Sequence, residues 1–139
     1  MDELALHILD IVQNSISAGA KKIFISISFD DSTVKMEVTD NGCGMDREMI
    51  NKVTDPFTTS RTTRKVGLGI PLLKETCELT GGRLIIKSQK TKGTKISASF
   101  GKNSFDRPPL GNMGQTMAAL ISCNPFIDFE FSFESKNDR

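Results

Sequence analysis

The segment "VTDNGCGMDREMI" sets a tight acidic glycine turn between a strand-like run and a helix-like run. Asn-Gly after alternating apolar residues is a strong hairpin signal, but a hairpin needs a second strand immediately. The residues after Gly44 are instead spaced as a helix, with Asp46 placed as its N-cap. The apolar residues predicted to bury one face of that helix are Met45, Met49, Ile50 and Val53. The segment therefore predicts a strand-to-helix joint.

The joint has features of a binding turn as well as those of a structural one. Gly42 and Gly44 let the backbone come close to a flat group, and Asp40 offers an acceptor-only carboxylate at its edge. From this stretch alone, a ligand site and an ordinary turn are both open.

Composition limits the class of protein. A length of 139 residues fits one domain, and a net charge of +1 argues against nucleic acid or a membrane surface as an electrostatic partner. The three cysteines are far apart and form no CxxC pair, which indicates reduced thiols. The N-terminal run "MDELALHILDIVQ" starts acidic, so we expect neither a signal peptide nor a membrane anchor. These features predict a cytoplasmic protein.

The order of patterns predicts an α+β fold. A helix over about Glu3 to Ala18 is followed by two strands, the glycine joint with its short helix, and a loop rich in Thr, Arg and Gly. A helix that ends at a glycine pair, "IPLLKETCELTGG", and two further strands complete residues 1–101. We expect a two-layer sandwich with the helices on one face of a mixed, mainly antiparallel sheet.

Residues 102–139 are predicted to form a helix-strand extension packed on the same domain. In "FIDFEFSFES", apolar residues alternate strictly with acidic residues and serine. The strand is expected to extend the sheet or cover it, and a docking surface for another chain is the alternative.

Two further features point to a site for a charged ligand. On the first helix, His7, Asp10, Asn14 and Ser17 fall on one stripe, which is either a solvated face or a place for Mg²⁺ and an oriented water. In the loop, Gly67 and Gly69 come directly before a helix, where backbone N–H groups favour phosphate.

Five motifs, in this order, resemble the boxes of the GHKL superfamily of gyrase, the heat-shock chaperone, histidine kinases and MutL. They are "DIVQNSISAGA", "DNGCGM", "DPFTTSR", "GLGIPLLKETCELTGG" and "KGTKISASF". The first half looks most like MutL, and the second half is closer to histidine kinases and anti-sigma-factor kinases. The resemblance implies a Bergerat-type fold and a small stand-alone bacterial ATP-binding protein.

The resemblance also implies the roles of individual residues. Asn14 would hold the Mg²⁺ that bridges the ATP phosphates, Asp40 would accept the adenine amine, and Thr94 would support that contact through water. Gly42 and Gly44 would let the base lie against the backbone. The remaining nucleotide contacts implied are Met45, Thr59, Gly67, Leu68 and Gly69. One of the basic residues Arg61, Arg64 and Lys65 would be the phosphate contact.

Two departures bear on activity. Asp10 stands where the family usually has glutamate, so it is either a catalytic base or a residue that orders water around the metal. His7 is the only histidine. Because it lies on the Asp10 and Asn14 face of the first helix, we expect it to line the site or to be packed rather than to accept phosphate.

Three functions follow. We expect a kinase-type subunit that passes the γ-phosphate to a partner protein. The alternatives are a slow ATPase that works as a switch and a non-catalytic ATP sensor whose Phe-rich tail docks a partner. A homodimer is open in each case.

Overall fold

A computed structural model describes residues 4–29, 33–54, 69–101 and 113–135. These ranges contain four helices and five strands. In chain order they are α1 (Leu4–Ser17), β1 (Lys22–Phe29), β2 (Thr33–Asp40), α2 (Arg47–Val53), α3 (Gly69–Leu79), β3 (Leu84–Gln89), β4 (Gly93–Gly101), α4 (Met113–Cys123) and β5 (Asp128–Ser135).

The five strands form one sheet in the order β3-β4-β2-β1-β5. The pairs β1–β2, β2–β4 and β3–β4 are antiparallel, and β1–β5 is parallel. Along β1, Ile23, Ile25 and Ile27 are buried while Phe24 between them is exposed, so only one face carries the core. The predicted α+β architecture with a mixed, mainly antiparallel sheet is confirmed.

The core lies between this sheet face and the helices. Ile86, Ile96, Val38 and Ile25 are side by side on four adjacent strands. Buried side chains of α1 and α3 complete the same cluster; among them are Ile8, Ile11, Val12 and Leu73. Burial of each such side chain stabilises the fold by about 1.5–3 kcal/mol.

Helix α2 begins as the sequence predicts, but its apolar face is not buried. The backbone N–H of Met49 donates to Oδ1 of the N-cap Asp46 at 2.9 Å. Met49 itself is exposed, and Met45 and Ile50 are half-buried. The prediction of a buried face is therefore wrong for Met49. Among the described elements, none packs extensively against α2, so the Met49 side chain stays in solvent.

The polar stripe predicted on α1 is divided. His7 is only 3% exposed, Asp10 and Ser17 are exposed, and Asn14 is half-buried. Helix α1 contacts both α3 and α4 as well as β2, so its buried arc is wider than that of a helix packed on one side. His7 is thus a packed histidine, which is one of the two roles expected for it.

Strand β5 extends the sheet as the parallel neighbour of β1, with Phe129 aligned with Ile23 and Phe133 with Ile27. The boundary between residues 1–101 and 102–139 stays a prediction, because residues 102–112 are outside the described ranges. Within those ranges, no helix is long and apolar enough to cross a membrane.

The three thiols differ in exposure, and a labelling experiment tests this. Cys77 is fully buried, and burial raises the pKa of its thiol to about 12, whereas Cys43 and Cys123 are exposed. Because the thiolate is the reactive form, we expect iodoacetamide at about pH 8 to modify Cys43 and Cys123 in the native protein and Cys77 only in urea. Peptide mass spectrometry measures each site. Equal labelling of Cys77 without urea would contradict the packing.

Candidate functional site

The site is built around the carboxylate of Asp40, the last residue of β2. Ser15 Oγ donates to Asp40 Oδ2 at 2.6 Å, and the Gly42 backbone N–H donates to Oδ1 at 2.8 Å. Each oxygen therefore has one fixed donor. A carboxylate has about four acceptor positions, so this half-buried group can accept further hydrogen bonds from a ligand.

Sequence reasoning missed Ser15. It is 3% exposed and follows Asn14 on α1. A signal was present, because Ile8, Val12 and Ser15 have the i, i+4, i+7 spacing of one helix face. A serine on a face that is otherwise apolar indicates a buried hydroxyl that needs a partner.

A row of polar side chains crosses the sheet at this end. Asp40 on β2, Thr94 on β4 and Ser88 on β3 are aligned across the sheet. They lie on the face that carries apolar core residues two positions away on each strand. Ser88 Oγ lies 2.7 Å from Thr94 Oγ1 and donates to the Gly93 carbonyl at 3.0 Å. Since its one proton is used there, Thr94 is the donor between the two hydroxyls. The structure thus places Thr94 beside Asp40, as expected, and the water between them stays a prediction.

Ser88 also connects this row to α2. The backbone N–H of Met45 donates to Ser88 Oγ at 2.7 Å. Sequence reasoning did not identify Ser88, and only the strand alignment shows its place, since it is far from Asp40 along the chain. The same contact brings Met45, one of the predicted nucleotide contacts, to the end of the polar row.

The glycines of the joint are required by the chain's own packing. Gly44 has φ +73°, and a Cβ there would lie 2.0 Å from the carbonyl oxygen of Gln89. A Cβ on Gly42 would lie 2.9 Å from Ala18 Cβ. The turn is held between α1 and the β3–β4 hairpin by the Cys43 N–H, which donates to the Ala18 carbonyl at 2.9 Å. Contact of these glycines with a base stays a prediction.

Asn41 fixes the joint to the start of β1. Its Oδ1 accepts from the backbone N–H groups of Lys21 and Lys22 at 2.8 and 2.9 Å. The Asn-Gly pair that reads as a hairpin turn in the sequence thus has a different use. Its amide closes the end of the β1–β2 pair while the chain continues into α2.

A cleft of about 740 Å³ runs between α2 and β3. Met45 and Ile50 line one side, and Ile86 and Ser88 line the other. Its size is in the range of small-molecule sites, and its lining combines apolar side chains with a few polar groups. Asp40 does not line the cleft, which meets the polar row at Ser88.

Asn14 and Asp10 are on α1, one helical turn apart. Within the described residues, Asn14 makes no side-chain hydrogen bond, and no group of three His, Cys, Asp or Glu side chains could hold a metal ion. A magnesium ion here would take one protein oxygen from the Asn14 amide and the others from phosphate and water, as Mg²⁺ commonly does. A single amide oxygen as protein ligand fits a magnesium ion that binds together with its nucleotide.

Several predicted contacts fall outside the described ranges. They are Thr59, Arg61, Arg64, Lys65, Gly67 and Leu68. Gly69 is the first residue of α3, so a helix begins directly after the glycine loop, as the sequence predicts.

Comparison with known proteins identifies the family. Residues 2–104 match the model described as "Histidine kinase-, DNA gyrase B-, and HSP90-like ATPase". The chain belongs to this family. The resemblance to the GHKL superfamily is confirmed, and the protein contains a histidine kinase-like ATPase domain.

Several similar proteins are kinases by name. Sporulation kinase D of Bacillus subtilis (strain 168) is 30% identical over 101 residues, covering 71% of this chain and 20% of that protein. Sensor histidine kinase ZraS of Escherichia coli (strain K12) is 28% identical over 112 residues, covering 79% of this chain and 24% of that protein. The chain therefore spans about a fifth to a quarter of the length of these relatives.

Proposed function

We propose that the protein binds Mg-ATP beside Asp40 and transfers the γ-phosphate to a partner protein in the cytoplasm. The observation that carries the proposal is the Asp40 carboxylate, which Ser15 and Gly42 hold in place in a chain of this ATPase family. Its remaining acceptor positions suit the exocyclic amine of adenine. Guanine has a carbonyl oxygen at that position, which a carboxylate repels.

In this proposal, the other residues of the site contact different parts of the nucleotide and its metal ion. Asn14 holds the Mg²⁺, and Asp10 acts as a base or orders water around the metal. Thr94 supports the Asp40 contact, and Met45 lies against the base. The phosphates are contacted by the backbone N–H groups of Gly67, Leu68 and Gly69, by Thr59, and by one of the basic residues Arg61, Arg64 and Lys65. When bound, Mg²⁺ neutralises charge that develops on the transferring phosphate.

The buried position of His7 argues against this residue as the phosphate acceptor. His7 is the only histidine, and its imidazole is packed in the helix layer at 3% exposure. A phosphate on that ring would bring close to two negative charges into an apolar core, at a large desolvation cost. The kinase names of the relatives support phosphate transfer as the reaction.

The test follows the γ-phosphate. Purified protein is incubated with γ-labelled Mg-ATP and host-cell extract, beside the Asp40→Asn variant, which guards against contaminating kinases. We expect a labelled protein band with the wild type only. If no band appears, release of free phosphate by the pure protein without extract, abolished by Asn14→Ala, would replace phosphate transfer with a slow ATPase switch. ATP binding with neither product would leave the sensor function.

Loss of the Ser15 hydroxyl is expected to weaken ATP binding. Ser15→Ala removes a hydrogen bond to a charged group, an interaction worth about 1.5–3 kcal/mol, and leaves the Gly42 N–H as the remaining described donor to the Asp40 carboxylate. We expect Kd for Mg-ATP to rise about tenfold by isothermal titration calorimetry. Ser17→Ala, an exposed change on the same helix, is the matched control. Equal affinity of the two variants would show that Ser15 does not position Asp40.

A further inference from the structure

The outer edge of β5 is an open strand edge. The strand has eight residues and pairs with β1 on one side, and no other described strand lies on its other side. The Asp128 backbone N–H donates to Lys21 O at 2.8 Å. Because donors alternate along a strand, the N–H groups of Phe129, Phe131 and Phe133 point away from β1. Residues 128–135 contain no proline or lysine, two residues that commonly protect a strand edge, and their charged side chains are all acidic.

The apolar face of β5 continues the core, and two of its phenylalanines are partly exposed. Phe131 and Phe133 are aligned with Ile25 and Ile27 of β1, which are fully buried. The two phenylalanines are nevertheless 42% and 50% exposed, and their rings stack with centroids 6.5 Å apart. Phe129 at the start of β5 packs against the core, so the exposed part of this face lies at Phe131 and Phe133. An added strand would extend the apolar surface beneath the helices and cover these rings.

The opposite face of β5 is acidic. Asp128, Glu130 and Glu134 are exposed and alternate with the phenylalanines. Among the described residues, these three carboxylates take part in no ion pair, and the one basic residue across from them on β1 is Lys22, opposite Asp128. Opposite charges in directly facing positions stabilise a strand pair, and like charges destabilise it.

This charge pattern disfavours a second copy of the chain as the occupant. If two β5 strands pair antiparallel with their phenylalanines aligned about Phe131, Asp128 of each copy faces Glu134 of the other. Parallel pairing in register places each acidic residue against itself. A strand with basic residues in these positions has the complementary charge.

We propose that the outer edge of β5 binds an extended segment of a partner protein in which apolar and basic side chains alternate. The segment pairs with the outward backbone groups of β5 as a sixth strand. Its apolar side chains cover Phe131 and Phe133, and its basic side chains face Glu130 and Glu134. Strand addition of this kind takes affinity from main-chain hydrogen bonds and specificity from alternate side chains. This inference goes beyond the proposed phosphate transfer and does not depend on it.

Labelled peptides test the proposal with the unmodified protein and without nucleotide. The probe is a peptide of alternating valine and lysine that matches the eight residues of β5. One control peptide replaces lysine with glutamate, and another is N-methylated on the amides of one edge. By fluorescence anisotropy, we expect the valine–lysine peptide to bind at least about tenfold more tightly than either control. Equal affinities, or no binding up to about 1 mM, would overturn the proposal.

Protein variants locate the binding to this edge. The double change Glu130→Lys and Glu134→Lys is expected to weaken binding of the valine–lysine peptide about tenfold. The matched control reverses two exposed glutamates of α3, Glu75→Lys and Glu78→Lys, with the same change in net charge. Equal loss in both variants would mean that net charge, and not β5, attracts the peptide, which contradicts the proposal. Circular dichroism confirms that both variants are folded.

Discussion

Asp40→Asn is expected to abolish ATP binding at ordinary nucleotide concentrations while the protein stays folded. The change replaces the carboxylate with an amide that has one acceptor oxygen and an NH₂ donor. The Gly42 N–H can keep the amide oxygen of the variant as its acceptor. The NH₂ group then takes the place of the second carboxylate oxygen and faces the donor amine of adenine. A hydrogen bond to a charged group is worth about 1.5–3 kcal/mol, and the opposed donors add to its loss. We expect Kd to rise at least about a hundredfold.

Isothermal titration calorimetry with Mg-ATP measures this effect. The matched control is Asp128→Asn, the same chemical change at an exposed position on β5, which we expect to bind ATP as the wild type does. Thermal unfolding of both variants shows whether a loss of binding is a loss of fold. If Asp40→Asn binds ATP within about threefold of the wild type, Asp40 does not contact the base.

Gly44→Ala is expected to be the most destabilising of the substitutions considered. Gly44 has φ +73°, where an L residue costs about 1–2 kcal/mol. In addition, the new Cβ would lie 2.0 Å from the Gln89 carbonyl oxygen, so the joint or the β3–β4 turn must move. Such a shift would break the Met45–Ser88 hydrogen bond and disturb the polar row beside Asp40. We expect the free energy of unfolding to fall by about 3–5 kcal/mol.

Gly81→Ala is the control for the steric part of this effect. Gly81 also has a positive φ, of +87°, but a Cβ there meets nothing within 4 Å. We therefore expect the free energy of unfolding to fall only by the cost of a positive φ for an L residue, about 1–2 kcal/mol. Urea unfolding of both variants gives the two values. Similar losses at Gly44 and Gly81 would mean that the joint tolerates a side chain and that its glycines are not needed for packing.

The sequence predicts those features that depend on residues close together in the chain. The Asp46 cap, the change from strand to helix after Gly44, and the alternation in β5 each follow from spacings of two to four residues. The family was also accessible, because the ordered motifs are themselves local. Asp40 and Thr94 were identified through that resemblance, and the strand pairing places them side by side.

Other features depend on which elements meet in space. The hydrogen bond from Ser15 to Asp40 joins residues that are 25 positions apart, and Ser88 enters the site only because β3 pairs with β4. His7 is buried because α1 has neighbouring helices on more than one side, while Met49 is exposed because no described element packs extensively against α2. Periodicity does not indicate how many neighbours a helix has.

Local backbone preference and hydrophobic period in the sequence are therefore enough to predict the order and type of the described elements, the glycine joint and the family. The support of the Asp40 carboxylate and the open edge of β5 are visible only in the folded chain. Both depend on contacts between distant segments. A buried polar group or an uncovered apolar face is defined by its neighbours in space. The spacing of residues along one element does not indicate those neighbours.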